Sequence, residues 1–150
     1  KEHWRKFALW EETTRIPMIW VAPGMTKPGT KCSQPVDTMS IYPTLCSLTG
    51  IEKPGHVSGH DISPLLRNPQ AKWKHPAITT HGRGNHSVRT ATKRYIRYAD
   101  GSEEYYDHSK DPYEWKNLAK TSDLSRFKKW LPEKEVASQA LKKNSKKPKK

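Results

Sequence analysis

The sequence predicts an incomplete α/β architecture, in which one buried strand and a helix precede a small antiparallel sheet and a terminal helix. Residues 15–24 are RIPMIWVAPG, a short apolar run bounded by prolines and a glycine, which is typical of a strand covered on both faces. Residues 75–108 contain four short β-prone runs separated by turn residues, the pattern of an antiparallel meander. Because a buried strand needs neighbours, we expect a larger sheet whose other part precedes residue 1.

A helix is expected between the buried strand and the meander. Residues 36–50 are VDTMSIYPTLCSLTG, where apolar side chains recur at roughly helical spacing and Gly50 offers a stop. Pro43 interrupts the pattern, so we expect two short helical pieces or one kinked helix. The following ISPLLRNP, residues 62–69, predicts a short helix or turn.

The last helix is predicted over residues 123–143. Leu124, Phe127 and Leu131 fall on one face of this segment, which makes it amphipathic. Pro132 breaks or kinks the helix. In the meander before it, Asp100-Gly101 predicts a hairpin turn.

Composition and charge suggest a weak core and an anionic partner. Only 33% of the residues are hydrophobic, mean hydropathy is −0.99 and the formal net charge is +13. Six of those charges are lysines of the tail, residues 142–150 (KKNSKKPKK), so residues 1–141 carry +7. A lysine run without apolar residues is expected to be disordered. The tail is either a solvated end or a tether for a polyanion such as a glycosaminoglycan or nucleic acid.

The two cysteines do not indicate a zinc site. Cys32 and Cys46 stand fourteen positions apart, without the Cys-x-x-Cys or Cys/His spacing that zinc sites use. Cys46 lies in the apolar helical pattern and is expected to be a buried thiol. A disulfide between the two remains open. No apolar run approaches the roughly 18 residues that a membrane span needs.

Four segments together resemble one known family. They are HWRKFALWEETTRIPMIW (residues 3–20), PVDTMSIYPTLCSLTGI (35–51), GHDISPLLRNP (59–69) and HSVRTATKRYIRYADGSEEYYDHSKDPYEWKNLA (86–119). In this order they resemble the C-terminal portion of the type I, formylglycine-dependent sulfatases of the alkaline-phosphatase-like superfamily. The resemblance looks closest to the iduronate 2-sulfatase group.

The resemblance implies a fold, a division of the chain and an activity. The fold class is α/β, the C-terminal part of an alkaline-phosphatase-like sulfatase fold with a small antiparallel sheet plus a terminal helix. Residues 1–70 would end the large domain, residues 71–141 would form the small subdomain, and residues 142–150 would be the tail. The intact parent would be a sulfuric ester hydrolase with a sulfated carbohydrate as substrate, in a periplasmic, extracellular or lysosomal compartment. Nucleic acid is not the expected partner.

The candidate catalytic residue is Lys6. It matches the family lysine that contacts the substrate sulfate, where an ammonium can neutralise oxygen charge and assist the leaving group. The alternative is a solvated lysine in the basic run KEHWRK. His3 and Trp4 are near neighbours that could line the same pocket, or be an exposed histidine and a partly buried tryptophan.

The candidate substrate-binding residues are in the loop HGRGNHSVR, residues 81–89. His81, Arg83, His86 and Arg89, with two glycines, give a flexible cationic loop that could hold a carboxylate or a second sulfate of an acidic sugar. His86 is the leading candidate for substrate binding, because it stands just before the predicted strand. The alternative is an exposed hairpin loop with ordinary histidines.

The sequence departs from the family pattern where the nucleophile and metal are concerned. The family motif Cys-x-Pro-x-Arg or Ser-x-Pro-x-Arg yields the formylglycine, but Cys32 is followed by SQPV and Cys46 by SLTG. The family's calcium ligands have no counterpart, so no metal ligand is assigned to this chain. Met39-Ser40 also replaces the usual Asp before the helix aromatic. Calcium and formylglycine would therefore be provided by the intact parent, and this fragment alone is expected to be inactive.

Two other classes remain as alternatives. The chain could be a non-catalytic basic module that binds polyanions, or the product of a split reading frame without a function of its own. The interleaved tyrosines and arginines of residues 94–106 could form a nucleic-acid platform, but alternation along strands favours sheet packing.

Two groups that contain acidic residues have structural explanations. Adjacent Glu11 and Glu12 do not share a face of a helix or strand, so salt-bridge or cap roles, for example with Arg15, are favoured over a shared proton. Asp107, His108 and Asp111 could suggest a metal, but the Asp-Pro turn explains them.

Overall fold

A computed structural model describes residues 6–132 of the chain. Its helices are α1 (Glu11–Thr14), α2 (Ile41–Thr49), α3 (Ser63–Arg67) and α4 (Ser125–Lys128), its strands are β1 (Ala77–Thr80), β2 (His86–Arg89), β3 (Lys93–Arg97) and β4 (Glu103–Asp107), and two 3₁₀ turns cover Thr38–Ser40 and Ala119–Thr121. Within residues 6–132, no helix has the length and apolarity required to span a membrane.

The predicted antiparallel meander is confirmed. The four strands lie in the order β1-β2-β3-β4, and each pairs with its chain neighbour. Gly101, in the predicted Asp-Gly turn, has φ +88°, a conformation that glycine adopts without steric cost. The β1–β2 and β3–β4 connections therefore share one end of the sheet, and the β2–β3 turn lies at the other.

Each face of the sheet packs against a different part of the chain. Side chains alternate between faces along a strand, so Val88 and Tyr95 face one side and Ile96 faces the other. The first face carries a buried cluster of Val88, Tyr95, Leu124, Phe127 and Leu131. The opposite face packs Ile96 and Tyr106 against Leu9. The tyrosines of the meander serve sheet packing here, as the alternating pattern favoured.

The first predicted helix forms as two pieces, but Pro43 does not separate them. A 3₁₀ turn ends at Ser40, and α2 begins at Ile41. Pro43 lies in the first turn of α2, where its missing N–H would have no intrahelical partner anyway. Gly50 ends the helix with φ +70°, as predicted, and the Ile51 N–H donates to the Cys46 carbonyl at 3.0 Å.

Hydrogen bonds connect the α2 region to the rest of the chain. The Thr44 hydroxyl accepts the Ile62 N–H at 3.0 Å beside α3, and Asp37 accepts the N–H of Ile78 in β1 at 3.1 Å. The predicted short helix over residues 62–69 is confirmed as α3.

The prediction of a strand within residues 15–24 was wrong. No strand pairing involves these residues in the part of the chain that the structure describes. Ile19 and Val21 are 86% and 84% exposed. An apolar run indicates a tendency to be buried, but a strand forms only where a neighbouring strand accepts and donates its backbone hydrogen bonds.

The terminal helix is confirmed in its first part only. Leu124, Phe127 and Leu131 are all buried, as the amphipathic pattern predicted, while α4 itself covers Ser125–Lys128. The remainder of the predicted helix and the lysine-rich tail lie outside the described residues. Cys46 is buried, as predicted, and both Cys32 and Cys46 are free thiols.

Candidate functional site

The segment that carries Lys6 is fastened to the sheet by the residues that follow it. Leu9 is 1% exposed and packs on Ile96 and Tyr106. Its carbonyl accepts a hydrogen bond from Nη1 of Arg94 in β3 at 3.0 Å. The next side chain, Trp10, donates its indole N–H to Glu104 of β4 at 2.7 Å. The backbone of residues 9–10 therefore has a fixed place on one face of the sheet.

A buried ion-pair network continues this attachment. The Arg94 guanidinium, 2% exposed, donates from Nε to Glu114 at 2.6 Å and from Nη2 to Glu11 at 2.5 Å. Glu114 also accepts the backbone N–H of Glu11 at 3.0 Å. Because a buried charge is costly unless it is paired, each member of the network depends on the others.

The charge state of Glu11 follows from its neighbours. Burial by itself would raise the pKa of this carboxyl, but hydrogen bonds and charges from Arg89 and Arg94 outweigh burial and lower the pKa from 4.5 to about 2. The salt-bridge role predicted for Glu11 is therefore confirmed, although its partners are Arg89 and Arg94 rather than Arg15.

The residue after Lys6, Phe7, packs on the β1–β2 loop. The rings of Phe7 and His81 are stacked with centroids 5.5 Å apart and an interplanar angle of 26°. Lys6 is itself exposed, and among residues 6–132 no carboxylate forms an ion pair with it. The structure thus brings the segment that contains Lys6 to the predicted cationic loop, through Phe7.

The β1–β2 loop, residues 81–85, is closed by its own backbone. The His81 N–H donates to the Asn85 carbonyl at 3.0 Å, and Gly82 and Gly84 have φ of +66° and +79°. These left-handed conformations explain why glycine occupies both positions. Asn85 further accepts the Ala99 N–H at 3.0 Å, which ties the loop to the β3–β4 turn.

The four predicted binding residues have different exposures. His81 and Arg83 are exposed at the tip of the loop. His86 is 1% exposed, and its Nδ1 lies 2.9 Å from the hydroxyl of Thr80, its cross-strand partner. Arg89 donates from Nε to Glu11 at 3.0 Å. Exposure thus favours His81 and Arg83 for direct contact with a ligand, and His86 and Arg89 for holding the site in shape.

The described residues do not fit the metal or the nucleophile of a formylglycine-dependent site. Glu11, His108 and Glu114 bring ligand atoms within 4.8 Å of one another, but Arg89 and Arg94 engage the two carboxylates. Calcium requires six to eight oxygen ligands, so this group is a salt-bridge cluster.

Neither cysteine changes that conclusion. Cys46 is buried in α2, and the exposed Cys32 lies 3.4 Å from the Pro69 carbonyl. As the sequence already indicated, neither precedes the x-Pro-x-Arg that formylglycine formation requires.

The turn interpretation of residues 107–111 is supported. Asp107 accepts the N–H and hydroxyl of Ser109 and pairs with Lys93, and the Asp111 N–H donates to the Asp107 carbonyl at 2.8 Å. His108 instead faces Glu114, with 2.7 Å between Nε2 and Oε1. His3 and Trp4 lie outside the described residues.

Three contributors to the site were missed by sequence reasoning. Phe7 attaches the segment that contains Lys6 to His81, and Arg94 with Glu114 holds Leu9 and Glu11, which follow it. The available signal for Glu114 was its place in the DPYEWKNLA motif, where a glutamate with φ +57° occupies a conformation that non-glycine residues seldom adopt.

Comparison with family models gives one match that spans most of the chain. The model described as "N-sulphoglucosamine sulphohydrolase, C-terminal" matches residues 1–141.

Similar proteins are known from sequence and from structure. A "Sulfatase" of Formosa agariphila is 37% identical over 131 residues, which cover 85% of this chain and 26% of that protein. A "Delta 4,5-hexuronate-2-O-sulfatase" of Bacteroides thetaiotaomicron is 34% identical over 141 residues, covering 82% and 28%. The crystal structure of Ps i-CgsB matches with a TM-score of 0.52 and 20% identity, over 66% of this chain and 23% of that chain. The chain thus spans about a quarter of the length of the curated relatives it matches.

Proposed function

The chain belongs to the sulfatase family whose matching domain is described as N-sulphoglucosamine sulphohydrolase, C-terminal, and from this premise we propose that it completes the active site of a sulfate-ester hydrolase. The sulfatase resemblance and its fold class, the C-terminal part of an alkaline-phosphatase-like fold, are thereby confirmed. The observation that carries the proposal is the Phe7–His81 stack, because it joins the segment of Lys6 to a cationic loop. The division of the chain at residue 70 remains a proposal.

In the proposed reaction Lys6 acts on the leaving side of the sulfate ester. Hydrolysis breaks the ester bond between sulfur and the bridging oxygen, so negative charge develops on the sulfuryl oxygens and on the departing alkoxide. An ammonium at Lys6 would offset that charge and donate a proton to the alkoxide. Lys6 is exposed, which supports access to a ligand.

The β1–β2 loop would recognise the rest of the substrate. Arg83 offers a planar fork of N–H donors that suits a carboxylate or a second sulfate, and His81 is stacked on Phe7, the residue after Lys6. His86 would act by holding the loop through Thr80. Arg89 would act through Glu11, which it fixes in charge and position.

The proposed substrate is a sulfated carbohydrate. The name of the hexuronate-2-O-sulfatase relative supports this class, and the guanidinium of Arg83 is compatible with the carboxylate of a uronic acid. Specific closeness to the iduronate 2-sulfatase group is a finer part of the same proposal.

The nucleophile and metal of such a site would come from residues outside this sequence. Family members use formylglycine and calcium, and the residues described above fit neither. When bound, the metal would stabilise charge on the sulfuryl oxygens. The 150-residue chain alone is accordingly expected to show no turnover of an aryl sulfate.

The proposal can be tested by exchanging domains with the Formosa agariphila relative. Residues 1–141 replace the matching segment of that enzyme, and turnover of an aryl sulfate and of a sulfated uronic-acid oligosaccharide is measured. In an active chimera, Lys6→Ala should lower kcat by about 100-fold or more, whereas Lys27→Ala, an exposed lysine far from the loop in sequence, should not. Arg83→Ala should raise KM for the uronic-acid substrate only. Full turnover by the Lys6→Ala chimera would contradict the assignment of Lys6.

Polyanion binding by the chain remains the second candidate. The net charge of +13 and the lysine-rich tail favour it, and it predicts binding without turnover.

A further inference from the structure

A second cleft lies at the end of the sheet opposite the β1–β2 loop. It has a volume of about 150 Å³ and is bounded by residues 73–76 before β1, residues 90–92 of the β2–β3 turn, and Arg126 and Trp130 of the α4 region. The four residues of β2 separate this end from the other by about 13 Å. The cleft is therefore distinct from the edge where Phe7 packs on His81.

The walls of the cleft include two tryptophans that are held by other rings. Trp73 meets His75 edge-on at 4.9 Å between centroids, and His75 is stacked on His60 at 3.7 Å. Trp130 packs edge-on against the buried Phe127 at 5.7 Å. Fixed indole rings offer broad apolar surface at little cost in conformational entropy, which suits the hydrophobic face of a sugar ring.

The charged groups of the cleft are cations. Lys74 and Arg126 line it, and its lining contains no aspartate or glutamate. The Arg126 guanidinium lies 5.0 Å from the centroid of the Trp130 ring, a cation–π contact that orients it. Its N–H donors remain suited to two oxygens of one anion.

The histidine of the cleft adds polarity rather than charge. Desolvation lowers the pKa of His75, and the neighbouring His60 and Lys74 lower it further. A neutral imidazole offers one donor and one acceptor, which suits sugar hydroxyls.

We propose that this cleft binds one anionic unit of a sulfated saccharide, as a second site separate from the proposed active-site edge. The lining residues indicate a ligand that has both a ring and an anionic group. The choice of a sulfated saccharide among such ligands rests on the proposed function. When one saccharide chain is bound at either site, its other units are held near the second site, which raises their effective concentration there. The cleft would thus favour oligosaccharides over single sugars.

Binding to the 150-residue chain tests the proposal without any turnover. A heparin-derived tetrasaccharide and its chemically desulfated counterpart are titrated by calorimetry against the unmodified chain and two double variants. Lys74→Ala with Arg126→Ala removes both cleft cations. Lys72→Ala with Lys129→Ala removes two exposed cations near the same segments that do not line the cleft. Both variants lose the same charge and keep the same tail.

The expected result is a loss of about tenfold in affinity for the sulfated tetrasaccharide in the cleft variant, and a loss of less than about twofold in the matched control. The desulfated sugar should bind at least about tenfold more weakly than the sulfated one to the unmodified chain. Circular dichroism should show that both variants stay folded, because all four substituted side chains are exposed.

Three results would overturn the proposal. Equal losses in the two double variants would mean that only net charge matters, and equal affinity for the desulfated sugar would exclude an anion site. Tighter, cleft-dependent binding of a single-stranded oligonucleotide would assign the cleft to nucleic acid. None of these results bears on Lys6, whose test is the turnover of the chimera.

Discussion

Arg94 and Glu114 form an ion pair, 2.6 Å from Nε to Oε1, whose side chains are 2% and 0% exposed. The same guanidinium reaches Glu11 and the carbonyl of Leu9. One arginine of the sheet thus joins residues 9–11 to Glu114, which follows the last strand.

Removing one member of this pair should be strongly destabilising. Arg94→Ala leaves Glu114 buried without its main cation, and breaking a buried pair in this way costs about 3–5 kcal/mol. Urea unfolding followed by tryptophan fluorescence measures the change in the free energy of unfolding. Arg15→Ala, which removes an exposed arginine, serves as the control and should cost less than about 0.5 kcal/mol. Equal small losses would mean that the pair does not support the fold.

The free energy of unfolding should decrease as the pH is lowered, because Glu11 becomes protonated. Its pKa is about 2 in the folded chain against 4.5 ordinarily, so the folded state holds this proton more weakly than the unfolded state does. The contribution of Glu11 is then fully present above pH 4.5 and is lost as the pH falls toward 2. Urea midpoints of the unmodified chain and of Glu11→Gln, measured from pH 6 to pH 2.5, should converge as the pH falls. A constant difference over that range would contradict the assignment.

Gly59→Ala should destabilise the connection between α2 and α3. A Cβ at this glycine would lie 2.1 Å from the carbonyl oxygen of Met39, and the backbone has φ +99°. A clash with backbone and a strained φ each cost about 1–3 kcal/mol. Gly55→Ala is the matched control, since a Cβ there meets no atom within 4 Å. Thermal unfolding should separate the two variants, and equal Tm values would show that the close approach is absent in solution.

The two thiols should differ in reactivity. Cys32 is exposed and Cys46 is buried, so a chromogenic disulfide reagent should titrate one thiol rapidly in the folded chain and two in denaturant. Cys32→Ser should abolish the rapid phase, and Cys46→Ser should leave it intact. A chain with no titratable thiol even in denaturant would instead indicate the disulfide that the sequence left open.

Removal of residues 142–150 should weaken binding to heparin. The tail holds six lysines, and its loss reduces the formal net charge from +13 to +7. Fewer released counterions mean a lower salt concentration for elution and a shallower salt dependence. Elution of the full and shortened chains from a heparin column at several pH values above 6 measures this. Unchanged elution would place polyanion binding within residues 1–141.

Local signals in the sequence were sufficient for the elements whose partners are near in the chain. The meander could be predicted because alternating residues and the Asp100-Gly101 turn specify a hairpin, and the end of α2 could be predicted from Gly50. The apolar residues 16–22 were different. Their pattern indicates burial, but pairing requires a neighbour strand that no local pattern supplies.

The sequence led to candidate site residues, but not to the contacts that hold their segments in place. Motif resemblance led to Lys6, and the glycines and basic residues of HGRGNHSVR led to the loop of His81 and Arg83. The attachment of Lys6 depends on Phe7 stacking across the chain, and on Arg94 and Glu114, which are far from Lys6 in sequence. Contacts at such separations carry no periodic signal, so only the structure reveals them.

The hydrogen bond from the Glu11 backbone to Glu114, 103 positions later, has a consequence for how loss-of-function variants are interpreted. A substitution at Glu114 would remove the contacts that hold Glu11 and Arg94, and so would loosen the segment that contains Lys6. Under the proposed function, such a change would lower the measured activity, although its cause would be a loss of folding stability rather than the loss of a catalytic group. Variants at Glu114 would therefore be candidates for rescue by stabilising small molecules, whereas variants of Lys6 itself would not.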